Sequence, residues 1–166
     1  MFTALDAAPE KLDPGEQNFV AQVRKHGWFG THVLPDEDGL SFSYTTGFWL
    51  KFGFPEVILF ALSRERAHDT FWHIYHELDA GRRPPIRVLT NGIFRNFLAV
   101  FLPVSAKQYP QHLGWSRWFY GNDGFECLQL VFPDRDGYFP WSREASDEFR
   151  ARQPDLTEGN WSGLHI

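Results

Sequence analysis

Residues 42–62, FSYTTGFWLKFGFPEVILFAL, limit the fold more than any other stretch, because they are the longest apolar and aromatic run and have strand character at both ends. Leu40, Phe42, Tyr44 and Thr46 alternate with Ser41, Ser43 and Thr45, the period-two pattern of a strand with one dry and one wetter face. Gly47 breaks the pattern. Pro55 and Glu56 then open a continuously apolar run over 57–62, the mark of a short strand covered on both faces. The two strands are therefore expected to be neighbours in the core. Phe48, Trp49, Phe52 and Phe54 lie between them, too many large rings for a solvated loop, so the link is expected to pack down as a lid over that core.

Upstream, residues 1–12 carry no pattern and read as a loose arm. Asp13, Pro14 and Glu16 supply an N-cap, a proline at the first helical position and an acid three residues after the cap. Phe19, Val20 and Val23 give that helix an apolar stripe, and Lys25, His26 and Gly27 close it. Residues 28–34 read as a strand joined to 40–46 by the turn-rich segment 35–39, an antiparallel hairpin. Ser63 caps a second helix running to about residue 80, with Ala67, Phe71, Ile74, Tyr75 and Leu78 as its buried stripe. Asn91-Gly92 predicts a second hairpin, between 86–90 and 93–102. Residues 105–120 suggest a short helix whose rings cap the sheet, 126–132 a strand, and Ser142 the cap of a last helix to about 152. Residues 153–166 read as an irregular tail. The sum is a single α+β domain over 13–152, with a largely antiparallel sheet flanked by helices.

Charge and composition exclude some functions. The net charge of −5 and the single basic knot at Arg82, Arg83 and Arg87 leave no nucleic-acid footprint. One cysteine rules out an internal disulfide and a cysteine-based zinc site, and Cys127 in its apolar strand reads as a buried small hydrophobe. Without a signal-peptide pattern or a run long enough to span a bilayer, the expected compartment is the cytoplasm, with no membrane partner. The 17 Phe and 7 Trp exceed what closing a core requires and favour a ligand pocket or a partner face.

Chemical motifs are sparse: the chain has no glycine-rich phosphate loop, GxSxG elbow or Cys/His nucleophile pair. Asp69, His73, His76 and Glu77 share a helix sector, but their spacing is not HExxH, and a solvated face is the better reading. His32 shares a strand face with Trp28 and Gly30 and reads as a hydrogen-bonded structural residue. Asp134 and Asp136 open like a calcium loop without the ligands that should follow, so they read as a tight turn. Gln129 inside an apolar strand either satisfies backbone or holds a ligand.

Gly27-Trp28, Val33, Phe42-Ser43-Tyr44-Thr45-Thr46-Gly47, Pro55-Glu56, Gln129 and Pro133-Asp134, with Gly137 and Phe139-Pro140-Trp141, resemble the pattern of a bacterial family known as domain of unknown function 4262. The YTxG and PDxxGxFPW elements are specific in combination. Phe48 and Trp49 depart from the pattern, which implies a smaller aliphatic residue after Gly47. The resemblance implies a bacterial cytosolic protein and brings no reaction or catalytic residues. In layout alone, the order of elements is similar to the FMN-binding split barrel of flavin reductases. That likeness implies a flavin phosphate site at Tyr44, Thr45 and Thr46, with Trp49 near the ring system and Lys51 as the nearest cation.

Three functions follow as expectations. First is a non-enzymatic binding protein, such as an immunity protein that neutralises a toxin or binds another bacterial protein. Second is a flavin-binding oxidoreductase. Third is a hydrolase or metal enzyme using His32, Glu56 or the Asp69, His73 and His76 face. The residues expected to contact a ligand or partner are Tyr44, Thr46, Trp49, Glu56, Gln129, Asp134 and Trp141, which put polar tips or rings at strand ends. No catalytic or metal residue is assigned, and no cofactor other than FMN under the second reading.

Overall fold

The computed structural model describes residues 2–35, 37, 39–159 and 161. Asp36 and Asp38 of the expected 35–39 turn, and 160 and 162–166 of the expected tail, lie outside the described residues. Helix α1 (Pro14–His26) begins where expected: Asp13 Oδ1 accepts the Glu16 N–H at 2.8 Å, and Glu16 returns the bond to the Asp13 N–H at 2.9 Å. It ends at Gly27, whose φ of 87° is one that a glycine adopts without strain.

Strand β1 (Phe29–Val33) runs antiparallel to β2 (Phe42–Thr46), with Phe29 opposite Thr46 and Val33 opposite Phe42. The aromatic link does pack down. It forms a short helix, α2 (Phe48–Phe52), with Phe48 and Phe54 buried. Arg83 donates to the Phe52 and Gly53 carbonyls at the C-terminal end of α2, and Arg82 pairs with Glu77, so these two arginines of the basic knot serve the fold. Strand β3 (Glu56–Phe60) is wholly buried and antiparallel to β2. The Ser63 hydroxyl accepts the Arg66 N–H and caps α3 (Arg64–Asp79), which buries the expected stripe.

Strand β4 (Val100–Pro103) pairs antiparallel with β5 (Cys127–Val131), and β5 lies parallel to β3, so the order is β1-β2-β3-β5-β4. Among the described residues the sheet is mostly antiparallel and open; β1 and β4 are its edges and do not close a barrel. Helix α3 covers one face, where Val57 and Leu59 meet Trp28, Phe71 and Ile74. Helices α1, α4 (Tyr109–His112) and α5 (Gly114–Tyr120) cover the other, where Ile58 and Phe60 join a cluster with Phe19, Val23 and Phe119. Two covered faces explain why β3 has no polar alternation beyond Glu56. No helix among the described residues is long and apolar enough to cross a membrane.

Several boundaries differ from expectation. Asn91-Gly92 is not a two-residue hairpin turn: Thr90 pairs with Ala99, and 91–98 form an irregular excursion. Phe94 and Phe97 stack on each other at 4.6 Å and meet Phe132, so burial of their rings overrides the local turn signal. The last helix, α6 (Asp147–Arg152), is capped by Ser146 rather than Ser142, whose hydroxyl is bonded to Glu144. The supposed arm forms two 3₁₀ turns, Ala4–Asp6 and Pro9–Lys11, with Thr3 and Ala4 buried. Beyond α6 the chain is irregular but docked, with Gln153 exchanging two hydrogen bonds with the Phe132 backbone and Leu156 buried.

Candidate functional site

Two polar clusters flank β2, and the first is closed. Glu56, at the start of β3, lies fully buried beneath the turn into α2. One oxygen accepts the Thr45 hydroxyl at 2.8 Å and the Phe48 N–H at 3.1 Å; the other accepts the Gly47 N–H at 2.9 Å, the Trp49 N–H at 3.2 Å and the Tyr120 hydroxyl. Each hydroxyl is itself fixed as a donor, because Thr45 Oγ1 accepts the Val57 N–H and Tyr120 Oη accepts the Leu50 N–H. Burial pushes the Glu56 carboxyl above its ordinary value, and bonds from Tyr120, Gly47, Thr45 and Trp49 pull it back. Burial likewise pushes the Tyr120 phenol well up, helped by the neighbouring Glu56. Gly47 has a φ of 123°, and a Cβ there would stand 2.5 Å from the Gly27 carbonyl oxygen and 2.8 Å from Trp28 Cα. The YTxG glycine is therefore required by the Gly27-Trp28 backbone crossing over it.

The other hydroxyls of this turn are also engaged. Tyr44 Oη accepts the Trp115 N–H at 3.0 Å, and Thr46 bonds Ser116 at 2.7 Å. Lys51 donates to Tyr75 Oη instead of standing beside them. The hydroxyls, Lys51 and the Gly47, Phe48 and Trp49 N–H groups are thus all spent within the chain, so the segment does not fit a flavin phosphate. Tyr44, Thr46 and Glu56 do come together here, with the half-buried Trp49 at the rim. The remaining expected residues lie elsewhere. Gln129 binds the Pro154 carbonyl and the Leu156 N–H, tying the C-terminal segment to the sheet. Asp134 Oδ1 accepts the Asp136 and Tyr138 N–H groups in a tight turn, and Trp141 stacks on Phe139 at 4.8 Å.

The second cluster is open. A cleft of about 460 Å³ borders residues 28–32 and Ser43, with Asn18, Gln22 and His26 of α1 on one side and Arg64, His68, Phe71 and Trp72 of α3 on the other. Its size suits a ligand site. His32 Nδ1 lies 2.6 Å from Ser43 Oγ. Burial, and then the positive charge of Arg64, hold His32 below its ordinary value. His68 Nε2 accepts the Trp72 indole N–H at 3.0 Å, which leaves the ring hydrogen on Nδ1. Gly30 keeps the floor low, for a methyl there would press on Trp28 Cζ3 at 3.0 Å and reach within 3.7 Å of His68 Nδ1. The Arg64 side chain makes no ion pair or hydrogen bond among the described residues.

No carboxylate among the described residues lines this cleft, in a chain of net charge −5. The arrangement offers donors and aromatic faces to an anion, and a Ser-His contact to a reactive carbonyl. On the outer sector of α3, His73 bonds the Gly92 carbonyl and His76 stacks on Trp72, and no group of three metal-ligating side chains occurs among the described residues. Of the cleft residues, only His32 is a functional candidate from sequence, as a structural residue first and as a group of the hydrolase or metal-enzyme alternative second. The missed signal is two stripes at i, i+4 and i+8: Asn18, Gln22, His26 and Arg64, His68, Trp72.

Comparison with known proteins finds no significant match among curated proteins or solved structures. The model of one family, Domain of unknown function (DUF4262), matches residues 22–146. That span holds the Gly47 turn, all five described strands and the α3 wall of the cleft. The chain belongs to the DUF4262 family.

Proposed function

We propose that this protein acts by non-covalent binding and that its ligand is held in the cleft between α1 and α3. The carrying observation is that, among the described residues, the Arg64 guanidinium has no partner and no carboxylate lines its cleft, on an acidic chain. The hydroxyls and carboxylate of the Gly47 turn support the same placement from the opposite side, since their bonds are satisfied internally. A protein partner, such as a toxin that the chain would neutralise, fits this reading as the source of the bound group. Native mass spectrometry on protein taken from its own host tests it: wild type should carry a bound mass that Arg64→Glu loses. Identical spectra for the two proteins would sink the assignment.

A hydrolytic reading has one observation in its favour, the 2.6 Å contact between Ser43 Oγ and a neutral His32 within the cleft. His32 would take the Ser43 proton as Oγ attacks an ester carbonyl, return it to the departing alcohol, and then activate a water that releases the acid. Turnover of aryl esters that is unchanged in Ser43→Ala would remove this reading.

A further inference from the structure

We infer that the cleft receives an extended acidic polypeptide segment, which pairs with the free edge of β1 as an added strand; the inference rests on the cleft being the binding site. Successive strand residues point to opposite faces of a sheet. Yet Phe29, Gly30, Thr31 and His32 all border this one cavity, together with α1 from one face and α3 from the other. The feature common to both faces is the strand's edge. The cleft is thus a slot along β1, walled by two helices.

The dimensions agree. Each helical stripe runs over eight helical rises, about 12 Å, and four strand residues cover about 13 Å. Edge strands are ordinarily guarded by lysine, proline or a bulge. Phe29–Val33 contains no charge and no proline, and it pairs with β2 in unbroken register. Among the described residues, no group outside β2 bonds its backbone. Strand addition draws affinity from those main-chain groups and specificity from alternate side chains. Alternate side chains of an added strand would reach the α1 and α3 walls in turn. Arg64 and the His68 Nδ1–H favour Asp or Glu on the α3 side, where Gly30 leaves room for close approach.

The probe is a random heptapeptide display library selected on the whole protein. The leading peptide is then made with its ordinary backbone and with alternate amides N-methylated in each of the two registers. Enriched sequences should carry Asp or Glu and lack central proline. Arg64→Glu should weaken the leading peptide by about tenfold or more. N-methylation in one register should abolish binding, and amide exchange over 29–33 should slow in the complex. Equal binding by both N-methylated forms would overturn strand addition while leaving an acidic ligand in the cleft. Binders indifferent to Arg64→Glu would overturn the cleft as well. A library with no binder would overturn strand addition alone, since the cleft is judged separately by the co-purified mass.

Discussion

Ser43 and Thr45 stand two residues apart on β2, on the same face of the sheet, and belong to clusters with opposite properties. Thr45 joins the Glu56 knot, where five donors meet one carboxylate and none is left over. Ser43 meets His32 at the cleft, beside an imidazole N–H and an Arg64 side chain that is unpaired among the described residues. A buried polar network that is fully satisfied rigidifies a fold. Donors left unspent at a concave edge are available to another molecule. The knot therefore places the turn and α2, and the cleft is where we propose that recognition occurs. Of the residues expected to bind, Tyr44, Thr46 and Glu56 fall on the structural side of this division.

The division is tested hardest at Glu56. In Glu56→Gln the amide nitrogen must face donors whichever way the side chain is turned, because donors surround both oxygens. Buried donors left without an acceptor predict a loss of at least about 3 kcal/mol in urea unfolding. A variant within about 0.5 kcal/mol of wild type would show that the knot is not structural.

A second test uses pH. Burial holds the Glu56 carboxyl above its ordinary 4.5 in the folded state, whereas the unfolded chain keeps the ordinary value. The folded protein thus binds that proton more tightly. The stabilisation from this group is complete below the unfolded value and is lost as pH rises through the raised one. Urea midpoints measured from about pH 4 to 8 should fall for wild type relative to Glu56→Gln as pH rises. The reverse slope would mean that the five hydrogen bonds outweigh burial and hold an anion throughout.

What was legible in the sequence was local or one-dimensional. The Asp13-Pro14-Glu16 box, the Ser63 cap, the stripe of α3 and the twice-covered strand β3 each write their cause within a few residues. Asn91-Gly92 is equally local, but it yields to the burial of Phe94 and Phe97 against Phe132, which lies far along the chain. The insertion of β5 between β3 and β4 is a matter of topology that no periodicity records. Glu56 was visible as a carboxylate at a strand start, yet its donors come from Thr45, the α2 amides and a tyrosine of α5. The cleft was missed for the same reason: half of each wall is an ordinary polar helix face until the fold sets β1 between them.

The smallest expected effect separates the two clusters most cleanly. Arg64 is the first residue of α3, where the helix dipole disfavours a cation and favours an anion. It is exposed, and no carboxylate among the described residues pairs with it. Arg64→Glu should therefore leave the unfolding free energy within about 0.5 kcal/mol of wild type, on the stabilised side. The same change should lift the His32 titration, because a positive neighbour that holds the imidazole down is replaced by a negative one. Proton NMR of the His32 ring reports that shift and shows that β1 is still in place. A variant that keeps its stability, raises His32 and loses its bound mass identifies Arg64 as a residue held for recognition at a small cost to the helix. If stability drops as it should for Glu56→Gln, the cleft is part of the structural network and the contrast between the clusters fails.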